Sequence, residues 1–215
     1  MNQHLEFRFF INKLRQRIRF FSYTYSILHD DRALRATMSH NQNQQDILLR
    51  LSQALFESSE NLDDFWRLLT KLSIEHLGAD LISIWIVMRD LKGDINHCVC
   101  EYDRAKATYT RLEDVNYDFA ISRYPIYMHS LETERILAID DCRSDPRSRE
   151  LVDQFFVPAD TYSMLDATIR SKYGYIGHIS IERNHKKHHW TESEMFFASA
   201  LADQASIAVL ENQRT

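Results

Sequence analysis

The chain has 215 residues, of which 44% are hydrophobic, so it can bury a real core and wholesale disorder is excluded. Four glycines and three prolines are too few for an all-β sandwich with many tight turns or for a glycine-rich phosphate loop. The net charge of −5 leaves most of the chain acidic, which argues against a nucleic-acid partner.

Residues 1–44 form an N-terminal extension, a basic amphipathic helix followed by a polar linker. Apolar residues at helical spacing predict a helix over 5–28, with most of its charges on the opposite side. Three interpretations stay open. The helix packs on the body or on a partner, it makes a weak contact with a membrane surface, or the natural chain starts at Met38.

The number and spacing of the cysteines indicate the cellular compartment of the protein. Three cysteines without the spacing of a disulfide framework favour a reducing environment, so we expect a cytoplasmic protein. The longest apolar run is shorter than the roughly 18 residues that a transmembrane helix needs.

Two helices are predicted before the first strand, one over about 42–58 and one that ends at Gly78. Asn61 is the expected N-cap of the second helix, and Asp63 and Asp64 lie in its first turn, near the positive end of the helix dipole. Their apolar faces consist of Ile47, Leu48, Leu51 and Leu55, and of Phe65, Leu68, Leu69, Leu72 and Leu77.

Two antiparallel hairpins are predicted. The apolar run over 81–88 indicates a central strand, and 95–102 returns beside it after a turn at Gly93. The other predicted strands are 163–171 and 173–183, which form the second hairpin, and the short segments 106–112 and 135–140.

The segment 103–160 is expected to cover one face of the sheet and to wall a pocket. Within it, 117–132 predicts two short helical pieces interrupted at Pro125, and a turn at Asp145 and Pro146 leads into another short helix.

The final helix is predicted to start at Thr191, because Thr191 and Glu194 have the spacing of a capping box. It lacks a stop signal, so we expect it to pass a signal to a domain beyond Thr215. Its buried stripe consists of Met195, Ala198, Leu201, Ala202, Ala205, Ala208 and Val209.

Short segments in the second half form an ordered set of motifs. They are Tyr124-Pro125-Ile126-Tyr127 with Ser130-Leu131, Ala138-Ile139-Asp140-Asp141 with Asp145-Pro146-Arg147, Ser163-Met164-Leu165-Asp166, Gly177 with Glu182, and Trp190-Thr191-Glu192-Ser193-Glu194. This set resembles the GAF domain family, in the branch of bacterial sensor histidine kinases and GGDEF diguanylate cyclases, over about residues 45–213. One departure is His185, where the family often has glycine.

The resemblance implies an α+β fold with a central antiparallel sheet of about six strands. The N- and C-terminal helices would pack on one face, and loops and short helices would cover the other. It also implies a non-catalytic sensory domain in bacterial signal transduction, without naming a ligand or a cofactor. Two alternatives stay open: a ligand-free dimerisation module, and a methionine sulfoxide reductase that uses cysteines. Cys98 and Cys100 would serve the latter, since residues two apart on a strand share a face.

Polar residues on the apolar strands are the candidate ligand site. By alternation, His178 and Ser180 share a face with Glu182, and Ile179 and Ile181 face the helices. A polar group toward the core needs a partner or a ligand, although a solvated face explains the pattern equally well. The predicted ligand-binding residues are Trp85, Tyr127, Met164, Asp166, His178 and Ser180.

We predict no catalytic set and no metal site. The loop His185-Lys186-Lys187-His188-His189 is interpreted as solvated, because adjacent histidines chelate one ion poorly. The expected partners are an unidentified small molecule and a second copy of the chain, joined through the terminal helices.

Overall fold

The computed structural model of this chain describes residues 38–39, 42–57, 62–90, 93–110 and 118–212. The chain divides into two compact units, residues 1–46 and 47–215. In the first unit the described pieces, 38–39 and 42–46, are helical, and the predicted helix over 5–28 lies outside the described residues.

The described part of the second unit contains seven strands in one antiparallel sheet. They are β1 (Leu81–Asp90), β2 (Gly93–Asp103), β3 (Thr108–Thr110), β4 (Asp118–Ala120), β5 (Ile136–Ile139), β6 (Thr161–Ser171) and β7 (Gly174–Asn184). Six strands follow one another in the order β3-β2-β1-β7-β6-β5, and β4 also pairs with β2. Both predicted hairpins, β1-β2 and β6-β7, are confirmed.

Four α-helices flank the sheet in the described part of the chain. They are α1 (47–57, the helical residues of the second unit before α2), α2 (Asp63–Leu77), α3 (Pro125–Thr133) and α4 (Glu192–Asn212). Short 3-10 turns at Ile121–Arg123 and Arg149–Leu151 and a π-turn at Val152–Phe156 complete the connections. None of these described helices combines the length and the apolar character that crossing a bilayer requires.

The helices cover the two faces of the sheet as predicted. Side chains of α1, α2 and α4 share one hydrophobic cluster with inward-facing residues of the sheet, among them Ile82, Ile179 and Ile181. On the opposite face, α3 and the turns over 149–156 form a second cluster with Leu137, Ile139 and other residues of β5 and β6. The predicted α+β architecture, an antiparallel sheet with helices on one face and α3 and short turns on the other, is therefore confirmed.

The ends of α2 match the prediction only in part. Gly78 adopts the left-handed C-cap conformation with φ of 62°, and Asp63 and Asp64 lie in the first turn. Leu62 stands at the N-cap position without a side-chain cap, and its carbonyl accepts the Trp66 amide at 2.8 Å. The predicted cap, Asn61, lies outside the described residues.

The segment 117–132 contains the two predicted helical pieces, a 3-10 turn at Ile121–Arg123 and α3, with the break at Tyr124 and Pro125. The strand that precedes them is not predicted by the sequence. Asp118–Ala120 forms the strand β4 against β2, because local helical preference yields to pairing with an open sheet edge. Pro125 starts α3 at its first position, where a missing amide hydrogen costs nothing.

The start of α4 is as predicted. The Thr191 amide donates to Glu194 Oε2 at 2.9 Å, and the Glu194 amide donates to Thr191 Oγ1 at 3.3 Å, which completes the capping box. The predicted stripe is buried, except that Met195 is only partly buried, and Phe197 joins it.

Candidate functional site

The polar residues predicted from strand alternation lie on the sheet face that α3 covers. Asp166 is fully buried on β6, and His178 and Ser180 on β7 are each 4% exposed. Ile179 and Ile181 belong to the cluster on the helical face, as expected. The alternative of a solvated face is wrong for these three polar residues, because α3 and the following turns shield them from water.

Tyr127 of α3 connects the covering helix to the sheet. Its hydroxyl donates to Asp166 Oδ2 at 2.6 Å and lies 3.4 Å from His178 Nε2. Glu150 holds the start of α3 in place, since its Oε2 accepts the amides of Ile126 at 2.9 Å and Tyr127 at 3.1 Å. The helix N-terminus is thereby satisfied by an acid, and Tyr127 is fixed above the strands.

Two further residues, Tyr175 and Asn96, extend this group, and the sequence did not single them out. The Tyr175 hydroxyl donates to Asn96 Oδ1 at 3.1 Å and lies 2.7 Å from His178 Nδ1. Since the Tyr175 proton goes to Asn96 and the Tyr127 proton goes to Asp166, a neutral imidazole protonated at Nδ1 would donate to the Tyr175 oxygen. Asn96 could have been predicted from strand alternation, because it lies two residues before Cys98, which is buried on β2.

Trp85 and Met164 lie on either side of this group. The half-buried Trp85 ring stacks nearly parallel to His178, with ring centroids 6.1 Å apart, and its Nε1 donates to Ser83 Oγ at 2.7 Å. Met164 is buried in the cluster under α3. The structure thus brings together Tyr127, Asp166 and His178, places Ser180 directly opposite Asp166, and sets Trp85 and Met164 beside them.

Burial controls the ionisation of the site. It raises the pKa of Asp166 to about 7, an effect that the Tyr127 and Ser180 hydroxyls oppose. It raises the pKa of Glu182 to about 7 as well, against the hydrogen bond from Thr161, and it lowers the pKa of His178 to about 3. His178 is therefore neutral near pH 7, and the site has two carboxyl groups that titrate there.

One buried oxygen of this site lacks a well-placed hydrogen-bond donor. Asp166 Oδ1 is buried and, among the described residues, accepts no hydrogen bond of good geometry. A buried carboxylate oxygen without a donor is costly, which identifies this atom as a place where a ligand N–H or O–H would stabilise the protein.

The cysteines do not share a face, so that prediction is wrong. Cys100 pairs with Ile84 and Cys98 pairs with Trp85, which leaves Val99 as an extra residue in β2. This β-bulge turns Cys100 toward Thr70 of α2 and leaves Cys98 on the α3 side. Burial raises the pKa of both thiols, that of Cys100 to about 11, which opposes thiolate chemistry.

Each histidine of the loop over 185–189 contacts its own carboxylate. His185 Nδ1 lies 2.7 Å from Asp160, His188 Nε2 lies 2.9 Å from Glu194, and His189 Nδ1 lies 2.5 Å from Asp140. Within the described ranges, no group of three His, Cys, Asp or Glu side chains is arranged to hold a metal ion.

Most of the motif residues have structural contacts. Arg147 joins Asp145, Glu134 and the Ala138 carbonyl, and Trp190 Nε1 donates to the Ile139 carbonyl at 3.2 Å. A Cβ on Gly177 would lie 2.2 Å from the Trp85 carbonyl oxygen, so this position of β7 requires glycine. Of the motifs, Tyr127, Met164, Asp166 and Glu182 are the residues that reach the site.

The sequence of this chain matches a protein family, and its fold is similar to those of known proteins. Residues 61–209 match the model of the GAF domain family, whereas no curated protein sequence matches the chain. The fold is similar to the GAF domains of phosphoenolpyruvate-protein phosphotransferases from Acinetobacter and from Coxiella burnetii. Identities are 17% and 19%, TM-scores are both 0.61, and the matches cover 80% of this chain and 95% and 96% of those chains.

A third similar structure is the phycoerythrobilin-bound GAF domain from a cyanobacterial phytochrome, at 15% identity and a TM-score of 0.60, covering 80% of this chain and 96% of that one. At these identities the structural matches speak for the fold alone. The family model spans more than half of the chain, from just before α2 to near the end of α4, and so includes the whole sheet. The chain therefore belongs to the GAF domain family, a family of sensory and regulatory domains.

Proposed function

We propose that this GAF domain is a non-catalytic sensor that binds a small molecule between α3 and the polar face of the sheet. The observation that carries this proposal is the buried group of Tyr127, Asp166 and His178, in which Asp166 Oδ1 has no donor. Polar groups on a core-facing sheet surface are costly, and a ligand that completes their hydrogen bonds would offset that cost. That a similar GAF domain binds phycoerythrobilin supports a ligand here by analogy.

We further propose that the domain acts in a cytoplasmic bacterial signalling protein, in the branch of histidine kinases and diguanylate cyclases, as a homodimer. In this proposal the terminal helices relay the signal to the rest of the protein. It is supported by the shared core of α1 and α4 and by the hydrogen bond from Ser52 Oγ to Gln204 Oε1 at 3.2 Å. A ligand that favours one arrangement of these helices would shift the balance between two states.

The second candidate function is a ligand-free dimerisation module. The observation that favours it is that Tyr127 and Met164 are 3% and 2% exposed, so their side chains already fill space beneath α3. A cysteine-dependent reductase has less support, because Cys98 and Cys100 are buried on opposite faces.

Native mass spectrometry of freshly purified protein would separate the two candidates. A sensor is expected to retain a small molecule that is lost on denaturation and is depleted in the conservative variant Tyr127→Phe. The exposed Tyr173→Phe is the matched control and should keep the ligand. A bare polypeptide mass, together with no thermal shift from a metabolite library, would favour the ligand-free module.

A further inference from the structure

We propose that the ligand of this domain is a small organic cation, a molecule that presents a protonated amine or amidine to the carboxylates of Asp166 and Glu182. This inference rests on the proposed function, since it names the chemical class of the ligand that the polar face would bind.

The strand register places three carboxylates on the same face of the sheet. Glu101, Ser83, Ser180 and Asp166 stand directly opposite one another in turn, across β2, β1, β7 and β6. Residues opposite each other in an antiparallel pair share a face. Glu182 follows Ser180 by two residues, so it shares this face and is the diagonal neighbour of Asp166, about 7–8 Å away between Cα atoms.

Two of these carboxylates, Asp166 and Glu182, lack a compensating positive charge, whereas Lys106 acts on Glu101. Glu182 is affected by the negative charges of Asp166 and Glu101, which add to the burial that raises its pKa. In the described part of the chain, no Lys, Arg or His makes an ion pair with Asp166 or Glu182, and burial keeps His178 neutral. An anionic ligand would be repelled here, whereas a cation would supply the missing charge.

A separate observation concerns hydrogen bonding. Asp166 Oδ1 is fully buried without a hydrogen bond of good geometry, although the Ser180 hydroxyl is near enough to lower the pKa of the carboxyl and Oδ2 accepts the Tyr127 hydroxyl at 2.6 Å. A well-placed donor is therefore what Oδ1 lacks, and the N–H of a cation would supply that donor together with a positive charge. Charge-assisted hydrogen bonds of this kind are among the strongest that proteins make.

Burial varies across this face. Asp166, His178, Ser180 and Ser83 are buried, whereas Trp85 on β1 and Glu182 on β7 are only half-buried. The Trp85 ring, which stacks beside His178, offers a surface over which a planar amidinium gains a cation–π contact.

Three compounds of the same shape and different charge would test the proposal: benzamidine, benzamide and benzoate. Thermal unfolding and titration calorimetry of the full chain at pH 7 are expected to show that benzamidine binds and raises the melting temperature. Benzamide and benzoate should leave it unchanged. Agmatine, an aliphatic guanidinium with a second amine, provides a cation of different shape.

Proton release is a readout that mere surface attraction would not produce. Asp166 and Glu182 titrate near pH 7, so a bound cation should displace protons from them, detected as a binding enthalpy that changes with the ionisation enthalpy of the buffer. The other titratable groups that interact with these two carboxyls, or contact Tyr127 beside them, are Tyr127, Tyr175, Cys142, His178 and Glu101. Burial raises the pKa of both tyrosines and of Cys142 further above 7 and lowers that of His178 to about 3, so these four are not expected to exchange protons at pH 7.

Neutral variants complete the test. Asp166→Asn and Glu182→Gln keep the side-chain shape and should each weaken benzamidine binding by about ten-fold or more. Asp153→Asn, an exposed carboxylate on the covering turns, should leave it unchanged. Circular dichroism would verify that each variant is folded.

Two results would overturn the inference. One is that neither benzamidine nor agmatine binds. The other is that the protein retains a neutral or anionic compound and that Tyr127→Phe abolishes this retention. That result would reject a cationic ligand but would support the proposed sensor function. Absence of any retained or library ligand would reject the proposed sensor function itself.

Discussion

Asp166 shows how one residue couples burial to charge. It is fully buried beside Tyr127, and burial raises its pKa from 3.8 to about 7. Between pH 3.8 and about 7, the Asp166 carboxyl is therefore protonated in the folded protein and ionised in the unfolded chain. The stabilising effect is complete below about pH 4 and is lost as the pH rises through 7.

Asp166→Asn is expected to remove this pH dependence, because an amide does not titrate. Between pH 5 and pH 8, the free energy of unfolding of the wild type should fall by about 1–3 kcal/mol relative to the variant. Urea unfolding at several pH values would measure it. The Asp153→Asn control should follow the wild-type profile, and parallel profiles for wild type and Asp166→Asn would show that Asp166 does not titrate in this range.

At the scale of elements, arginines from the β6-β7 hairpin cap the ends of helices. Arg170 Nη2 donates to the carbonyls of Leu131 at 3.0 Å, Glu132 at 2.9 Å and Glu134 at 2.8 Å, at the end of α3. Arg183 Nη2 donates to the Leu77 carbonyl at the end of α2 at 2.5 Å. A cation at a helix C-terminus satisfies free carbonyls and opposes the negative end of the dipole.

Arg170→Met should loosen α3, the helix that covers the candidate site. We expect faster amide hydrogen exchange over 125–134 and a loss of about 1–2 kcal/mol of stability. Lys172→Met, two residues along the same hairpin, is the matched control and should leave α3 protected. Equal exchange in both variants would mean that the sheet holds α3 without this arginine.

For the whole molecule, the surface of the terminal helices bears on assembly. Phe56 of α1 is 93% exposed and Phe196 of α4 is 75% exposed, with Leu49 and Ile207 also exposed on these helices. Leu49 and Phe56 are seven residues apart, and Phe196 and Ile207 are eleven apart, so each pair lies along one side of its helix. These stripes suit the proposed homodimer, since contact between two copies would bury them.

Phe196→Glu is expected to weaken the proposed dimer by about ten-fold or more, because a charge would replace an apolar contact. Its melting temperature at monomer-forming dilution should be unchanged, since the side chain is exposed. Sedimentation equilibrium would measure association, with Tyr173→Glu at the tip of the β6-β7 hairpin as control. A monomeric wild type at high concentration would reject the dimer.

Strand alternation was a reliable guide wherever a strand is regular. It placed His178 and Ser180 opposite to Ile179 and Ile181, because successive side chains of a strand point to opposite faces. It failed at two bulges. An extra residue at Val99 separates Cys98 from Cys100, and one at Ile176 brings Tyr175 to the side of His178.

By itself, the sequence determined the order of the helices and of all strands except β4, the family, and the polar character of the face beneath α3. Those properties follow from periodicity, capping residues and short motifs, all of which are local in the chain. Only the tertiary structure decided that Tyr127, Asp166, His178, Tyr175 and Asn96 form one buried group. Their contacts join residues 39 to 79 positions apart on α3, β2, β6 and β7, with the exception of Tyr175 and His178, and no local pattern records such pairings.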